Sequence, residues 1–177
     1  MFPLRDNIPS SKKPYITRAI VILNALIYFI QFIMPDKVNR MIIYNYGFIP
    51  LRFARDIMSR QFSVQNLVPL ATSAFLHGSW AHLIGNMWTL WIFGDNIEDR
   101  LGHFRFTIFY ILSGIVAMGF HFLFNAGSSI PAIGASGAIA GVMGAYFVLF
   151  PHSRIITLVP VFIIPFFIRV PALIYLA

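Results

Sequence analysis

Gly134-Ala135-Ser136-Gly137 opens a glycine-rich apolar run that extends to Phe150. An uncharged cluster of loop-forming residues precedes it at 125–131, so the sequence predicts that a helix begins near Ser136. Gly137, Gly141 and Ala145 recur every four residues and therefore share one face of that helix. In lipid, such small residues let two helices pack closely. We therefore expect a neighbouring helix to pack closely on this face.

Ser136 would lie at or just inside the start of the predicted helix. Unpaired backbone N–H groups and the positive end of the helix dipole favour negative charge at that position. A serine beside such an anion site is suited to nucleophilic attack on a carbonyl group. The alternative is that Ser136 only caps the helix and that the glycines only pack it.

The composition is that of an integral membrane protein. Of its 177 residues, 58% are hydrophobic and 11% are charged, and the mean hydropathy is +0.76. Soluble domains carry about 25% charged residues. The absence of cysteine excludes disulfides and thiolate metal sites. We attribute the net charge of +7 to basic residues that flank membrane spans, and not to nucleic-acid binding.

The apolar stretches predict an all-α membrane protein that crosses the bilayer several times. The predicted spans are 16–34, 80–93 with a lead-in at 67–79, 104–124 and 136–150, and a fifth begins near Val170. The connecting segments are predicted as amphipathic interfacial pieces at 36–66, a short charged turn at 94–102, and a hairpin or interfacial piece at 155–169. The basic leader, residues 1–14, predicts a cytoplasmic N-terminus, with Ser136 reached from the outer side.

His82 and Asn86 lie four residues apart within the second predicted span, so they share one helix face. Polar side chains are costly to bury in a bilayer and indicate a functional site by default. The alternative is that they form hydrogen bonds between helices. Glu98 and Arg100, in the predicted charged turn, are interpreted as structural residues that tie the turn to neighbouring helix ends.

Three stretches of the chain resemble the rhomboid family of intramembrane serine proteases: 75–87, 94–102 and 134–137. The resemblance covers the chain from about residue 15 to its end, and it implies a rhomboid-like helical bundle with a leader at 1–14 and a membrane domain at 15–177. It implies that Ser136 is the nucleophile and that His82 and Asn86, with the backbone N–H of Ser136, form the oxyanion hole. The supporting residues that it implies are His77, Gly134 and Gly137.

The chain departs from the family pattern in two places. The family places its general-base histidine on a sixth span, and no histidine lies after Ser136 within a span here. The resemblance therefore implies six spans in full, about four and a half of them present, and a fragment that is itself inactive. It also implies that the helix expected to pack on Gly137, Gly141 and Ala145 lies outside the given residues. Where some bacterial members carry a tyrosine four residues after the serine, this chain has Ala140.

The resemblance implies cleavage of transmembrane segments of other membrane proteins by a Ser-His dyad, with no metal and no cofactor. It also leads us to expect a bacterial or archaeal plasma membrane. Two other functions stay open: an inactive rhomboid-like protein that binds membrane proteins, and a small transporter or channel. A transporter would spread polar residues over several spans, whereas here they concentrate in two. The sequence does not specify the oligomeric state.

Overall fold

The computed structural model of the chain describes residues 2–60, 62–161 and 164–176. Most of these residues are helical, which confirms the predicted polytopic helical fold, and a small sheet is added to it. The elements in chain order are β1 (Phe2–Arg5), α1 (Tyr15–Ile33), α2 (Asp36–Tyr46), α3 (Pro50–Met58), α4 (Val68–Thr72), α5 (Trp80–Leu101), α6 (His103–Asn125), α7 (Ser136–Leu149), β2 (Arg154–Val161), β3 (Ile164–Pro171) and α8 (Ala172–Leu176). Short 3₁₀ turns at Val64–Leu67 and Ser73–Phe75 flank α4.

The long helices form a bundle in which α5 packs on α1 and α7, and α6 packs on α7. Within the described residues, α1 and α6 are the two helices long and apolar enough to cross a membrane by length and composition, with a mean hydropathy of 1.9 each. α7 is apolar but shorter. The chain enters α1 and leaves α7 at the same end of the bundle as residues 2–14, which we call the leader face. The opposite end, where α7 begins, is the loop face.

The small residues of α7 pack against α6. The predicted packing against a helix outside the given residues is not observed. A Cβ added to Gly137 would lie 2.6 Å from the Cβ of Ala117, and one added to Gly141 would overlap Ser113. That prediction is wrong because a stripe of small residues shows that a face is closely packed but does not show which helix packs there. A different face of α7 is exposed. It consists of Ser136, Ala140, Gly144 and Val148 and is called the open stripe below.

The charged turn predicted at 94–102 is helical instead. α5 continues to Leu101 and ends at Gly102, whose φ of +78° suits glycine. Carboxylates near the end of α5 accept hydrogen bonds from the segment that leads into α1. The buried carboxylate of Glu98 accepts hydrogen bonds from the backbone N–H groups of Ile16 (2.9 Å) and Thr17 (2.8 Å). These donors are unpaired at a helix start, so the predicted structural role of Glu98 is confirmed.

The hairpin predicted at 155–169 is present as the antiparallel pair β2 and β3, apart from residues 162 and 163, which lie outside the described residues. The leader strand β1 pairs antiparallel with β2 and completes a three-stranded sheet in the order β1-β2-β3. Beyond β1, Asp6 accepts hydrogen bonds from the hydroxyl of Tyr146 and the amide of Asn96. The leader is thereby fixed to α5 and α7. The helix predicted to begin near Val170 begins at Ala172.

Candidate active site

Backbone hydrogen bonds fix the loop that leads into α7. Phe48 and Ala132 exchange two such bonds, of 3.1 and 2.8 Å. The N–H of Gly134 donates to the carbonyl of Ser73 at 2.8 Å. Gly134 has a φ of +116°, a backbone conformation that residues with a Cβ rarely adopt. The start of α7 is therefore held against the segment that precedes α5.

Gly134 is the point at which the two predicted halves of the site meet. A Cβ at this position would lie 2.6 Å from Nε2 of His82 and 3.5 Å from Nδ2 of Asn86. Both side chains, one helical turn apart on α5, thus lie against the backbone two residues before Ser136. The structure brings together His82, Asn86 and Gly134, three of the residues that the resemblance implies for the site.

Ser136 is the first residue of α7, and its side chain is exposed. Ala135 occupies the N-cap position, and no side chain caps the helix. The interpretation of Ser136 as a helix cap therefore receives no support. The N–H of Ile139 donates to the carbonyl of Ala135, so the N–H groups that precede it have no partner within the helix. Ser136 thus has an exposed hydroxyl beside backbone N–H groups that can donate to an anion.

His77 lies behind these residues, in the loop before α5 and outside the membrane-spanning helices. It is 1% exposed, and its Nε2 lies 3.0 Å from Nδ2 of Asn86. Burial, with a smaller contribution from His82, lowers the pKa of His77 to about 4. The ring is therefore neutral near pH 7. Because an amide nitrogen only donates, Nε2 of His77 accepts from Asn86 and holds that side chain in place.

Gln31 is a buried residue near the site that the sequence interpretation missed. Its Oε1 accepts from the N–H of His77 at 3.1 Å, and its Nε2 donates to the carbonyl of His77 at 3.3 Å. α1 thereby fixes the loop that holds the site. A polar amide inside an apolar span is costly to bury. Its presence in the first predicted span could therefore have marked Gln31 as a candidate site residue.

The other predicted residues lie further away. Gly137 contacts α6 and not the side chains of His82 or Asn86. Among the described residues, no histidine forms a hydrogen bond with Oγ of Ser136. Nδ1 of His103, for example, bonds to Glu98 at 2.6 Å on the leader face. The described residues therefore place the side chains of His82 and Asn86 close to a serine, and none of their histidines is hydrogen-bonded to it.

Gly134→Ala is expected to destabilise the chain strongly, by about 2–5 kcal/mol. Two costs contribute, the positive φ and the overlap of the new Cβ with the ring of His82. Unfolding of the purified chain in detergent, followed by circular dichroism, measures the effect. Gly119→Ala is the matched control, because that glycine is helical and has no atom within 4 Å of an added Cβ. Equal stability of both variants would contradict the close packing at Gly134.

Comparisons with known proteins give a family match and several curated relatives. The model of the Rhomboid domain family matches residues 64–177. The chain is 35% identical over 100 residues to "Rhomboid protein 1, mitochondrial" of Saccharomyces cerevisiae, a match that covers 54% of this chain and 29% of that protein. It is 33% identical over 97 residues to "Presenilin-associated rhomboid-like protein A, mitochondrial" of Danio rerio, covering 53% and 25%. With "RHOMBOID-like protein 6, mitochondrial" of Arabidopsis thaliana it is 38% identical over 76 residues, covering 43% and 24%.

The matches therefore span about a quarter of the length of these curated relatives. They also correct the predicted location. A bacterial or archaeal plasma membrane, with a cytoplasmic N-terminus, was expected from the sequence. That prediction is wrong, because the relatives are named as mitochondrial proteins. Basic leaders and loops report an orientation relative to a membrane, but they do not identify the membrane.

Proposed function

Because this chain belongs to the rhomboid family, we propose that it forms most of the catalytic domain of an intramembrane serine endopeptidase. Its substrates are transmembrane segments of other membrane proteins. The observation that carries the proposal is the position of His82 and Asn86 against Gly134, two residues before the exposed Ser136. The names of the relatives support a mitochondrial membrane as its location.

In this mechanism, Oγ of Ser136 attacks the carbonyl carbon of the scissile peptide bond. The negative charge that develops on the carbonyl oxygen is stabilised by the backbone N–H of Ser136 and by the side chains of His82 and Asn86. One such donor contributes roughly 2.7–4 kcal/mol to transition-state stabilisation where it has been measured by mutagenesis. Water then hydrolyses the acyl-enzyme.

The general base is a histidine outside residues 1–177. It must take the proton from Oγ of Ser136 and later deliver it to the leaving amine. The open stripe of α7 supports this assignment, because it starts at Ser136 and leaves an exposed face of small residues on the same helix. A helix packed on that stripe would place its side chains beside the hydroxyl. Gly144 in particular has no atom within 4 Å of an added Cβ.

The proposal predicts that a fluorophosphonate probe labels the complete, folded protein at Ser136, because only an activated serine forms the phosphonyl ester. Mass spectrometry of the tryptic or chymotryptic peptides identifies the labelled residue. Ser129 is the internal control, since it is an exposed serine in the loop just before the site. Equal labelling of both serines, or of neither, would favour the inactive membrane-protein binder over the protease.

A further inference from the structure

Three arginine side chains lie on the same side of the β-sheet, at the leader face of the bundle. Arg5 of β1 lies opposite Ile156 of β2, which in turn lies opposite Arg169 of β3. Arg154 is two residues before Ile156 and therefore points to the same face. Together with residues 6–9, these side chains line a cavity of about 420 Å³, called the arginine pocket below.

The guanidinium groups of the arginine pocket lack protein partners among the described residues. None of the three donates a side-chain hydrogen bond there, and none lies within 4.0 Å of a carboxylate. The carboxylate in the pocket lining, Asp6, is engaged by Tyr146 and Asn96. Arg5 and Arg169 are separated by two strand spacings, about 10 Å, so their charges repel each other. A bound anion would offset this repulsion.

We propose that the arginine pocket binds the phosphate of an anionic phospholipid headgroup. Guanidinium groups match phosphate oxygens with pairs of parallel hydrogen bonds, and such charge-assisted bonds are stronger than neutral ones. Basic pockets between membrane helices bind anionic headgroups in other membrane proteins. The site is independent of the proteolytic mechanism, because it lies at the opposite end of α7 from Ser136.

Apolar side chains beside the pocket favour a lipid over free phosphate. Phe167 lies two residues before Arg169 on β3, so it points to the same face of the sheet, and it is 65% exposed. Leu173 and Ile174 of α8 are exposed as well. The pocket also lies on the leader face, where the chain enters α1 and leaves α7, so the surface of a bilayer crossed by α1 would lie near it. A phosphate in the pocket would thus have acyl-chain contacts next to it, which free phosphate cannot use.

Native mass spectrometry of the 177-residue chain in detergent, titrated with phosphatidylglycerol or phosphatidylcholine, measures this binding. The triple variant Arg5→Gln, Arg154→Gln and Arg169→Gln should weaken phosphatidylglycerol binding by at least about tenfold, since hydrogen bonds to charged groups are lost. Binding of phosphatidylcholine should change little. The substitutions leave the backbone pairing of β1, β2 and β3 in place, because that pairing does not involve the three side chains.

The matched control replaces Arg40, Arg55 and Arg60 with Gln, an equal loss of charge from exposed positions outside the pocket. Its phosphatidylglycerol affinity should stay within about twofold of the parent, since surface charges act weakly. Equal weakening by both triple variants, or none by the pocket variant, would overturn the proposal. Displacement of the lipid by equimolar inorganic phosphate would overturn the assignment to a headgroup. If the triple variant unfolds, Arg154→Gln alone must still lower the affinity, and unchanged binding by this folded variant would overturn the proposal.

Discussion

Replacing Ser136 with alanine in the complete protein is expected to abolish cleavage of a transmembrane substrate and to leave the fold intact. Loss of a serine nucleophile that acts with a histidine base lowers turnover by roughly 10⁶-fold where it has been measured. The side chain of Ser136 is exposed, and Ala135 rather than Ser136 occupies the N-cap. Removal of the hydroxyl therefore creates no buried cavity, and stability should change by less than about 1 kcal/mol.

Cleavage of a model transmembrane substrate, reconstituted with the protein and followed by gel electrophoresis, measures this loss. Ser129→Ala is the matched control, because it removes an exposed hydroxyl from the adjoining loop. The control should cleave at the parent rate. Residual cleavage by Ser136→Ala at more than about a hundredth of that rate would contradict the assignment of the nucleophile, since a true knockout loses several orders of magnitude.

The long apolar helices and the shared helix face of His82 and Asn86 could be predicted because local sequence encodes them. The apolar runs that became α1, α6 and α7 are uninterrupted enough to mark each helix within a few residues. His82 and Asn86 could be paired from their spacing alone, since residues four apart share a helix face. Their approach to Gly134 followed from the family resemblance, and the structure supplies the geometry.

The end of α5 was mispredicted because the partners of its charges are distant in the chain. Asp95, Glu98 and Asp99 together look like a solvated turn in isolation. In the structure they accept hydrogen bonds from residues 10–17, more than 80 positions away. The helix therefore continues to Leu101. The leader strand β1 escaped prediction for the same reason, since its partner β2 lies about 150 residues further along the chain.

Residues 1–177 alone are expected to show no serine-dependent proteolysis. A serine hydroxyl is a weak nucleophile unless an adjacent base takes its proton. The five histidines of this sequence offer no such base, since none bonds to Oγ of Ser136 within the described residues. His77 is buried and bonded to Asn86, and His82 lies against Gly134, where we propose that it binds the oxyanion. His103 is held by Glu98 at the far end of the bundle.

The measurement compares the 177-residue chain and the complete protein on the same transmembrane substrate, each beside its own Ser136→Ala variant. The complete protein should cleave, and the shorter chain should match its serine-free variant. Circular dichroism in detergent must show that the shorter chain is folded. Serine-dependent cleavage by the folded 177-residue chain would mean that the base lies within it, and the assignment to a histidine outside these residues would be wrong.

Gly144→Leu, on the open stripe, tests whether residues 1–177 are inactive because they lack the base or only because they are unstable. An added Cβ at Gly144 meets no atom within 4 Å, so the larger side chain should leave the stability of residues 1–177 almost unchanged. In the complete protein the same leucine would keep a helix from packing closely beside Ser136, and a misplacement of about 1 Å in a catalytic group can cost 10²-fold in rate. Cleavage should therefore fall by about that factor. Full activity of Gly144→Leu would show that the base reaches Ser136 from a direction other than the open stripe.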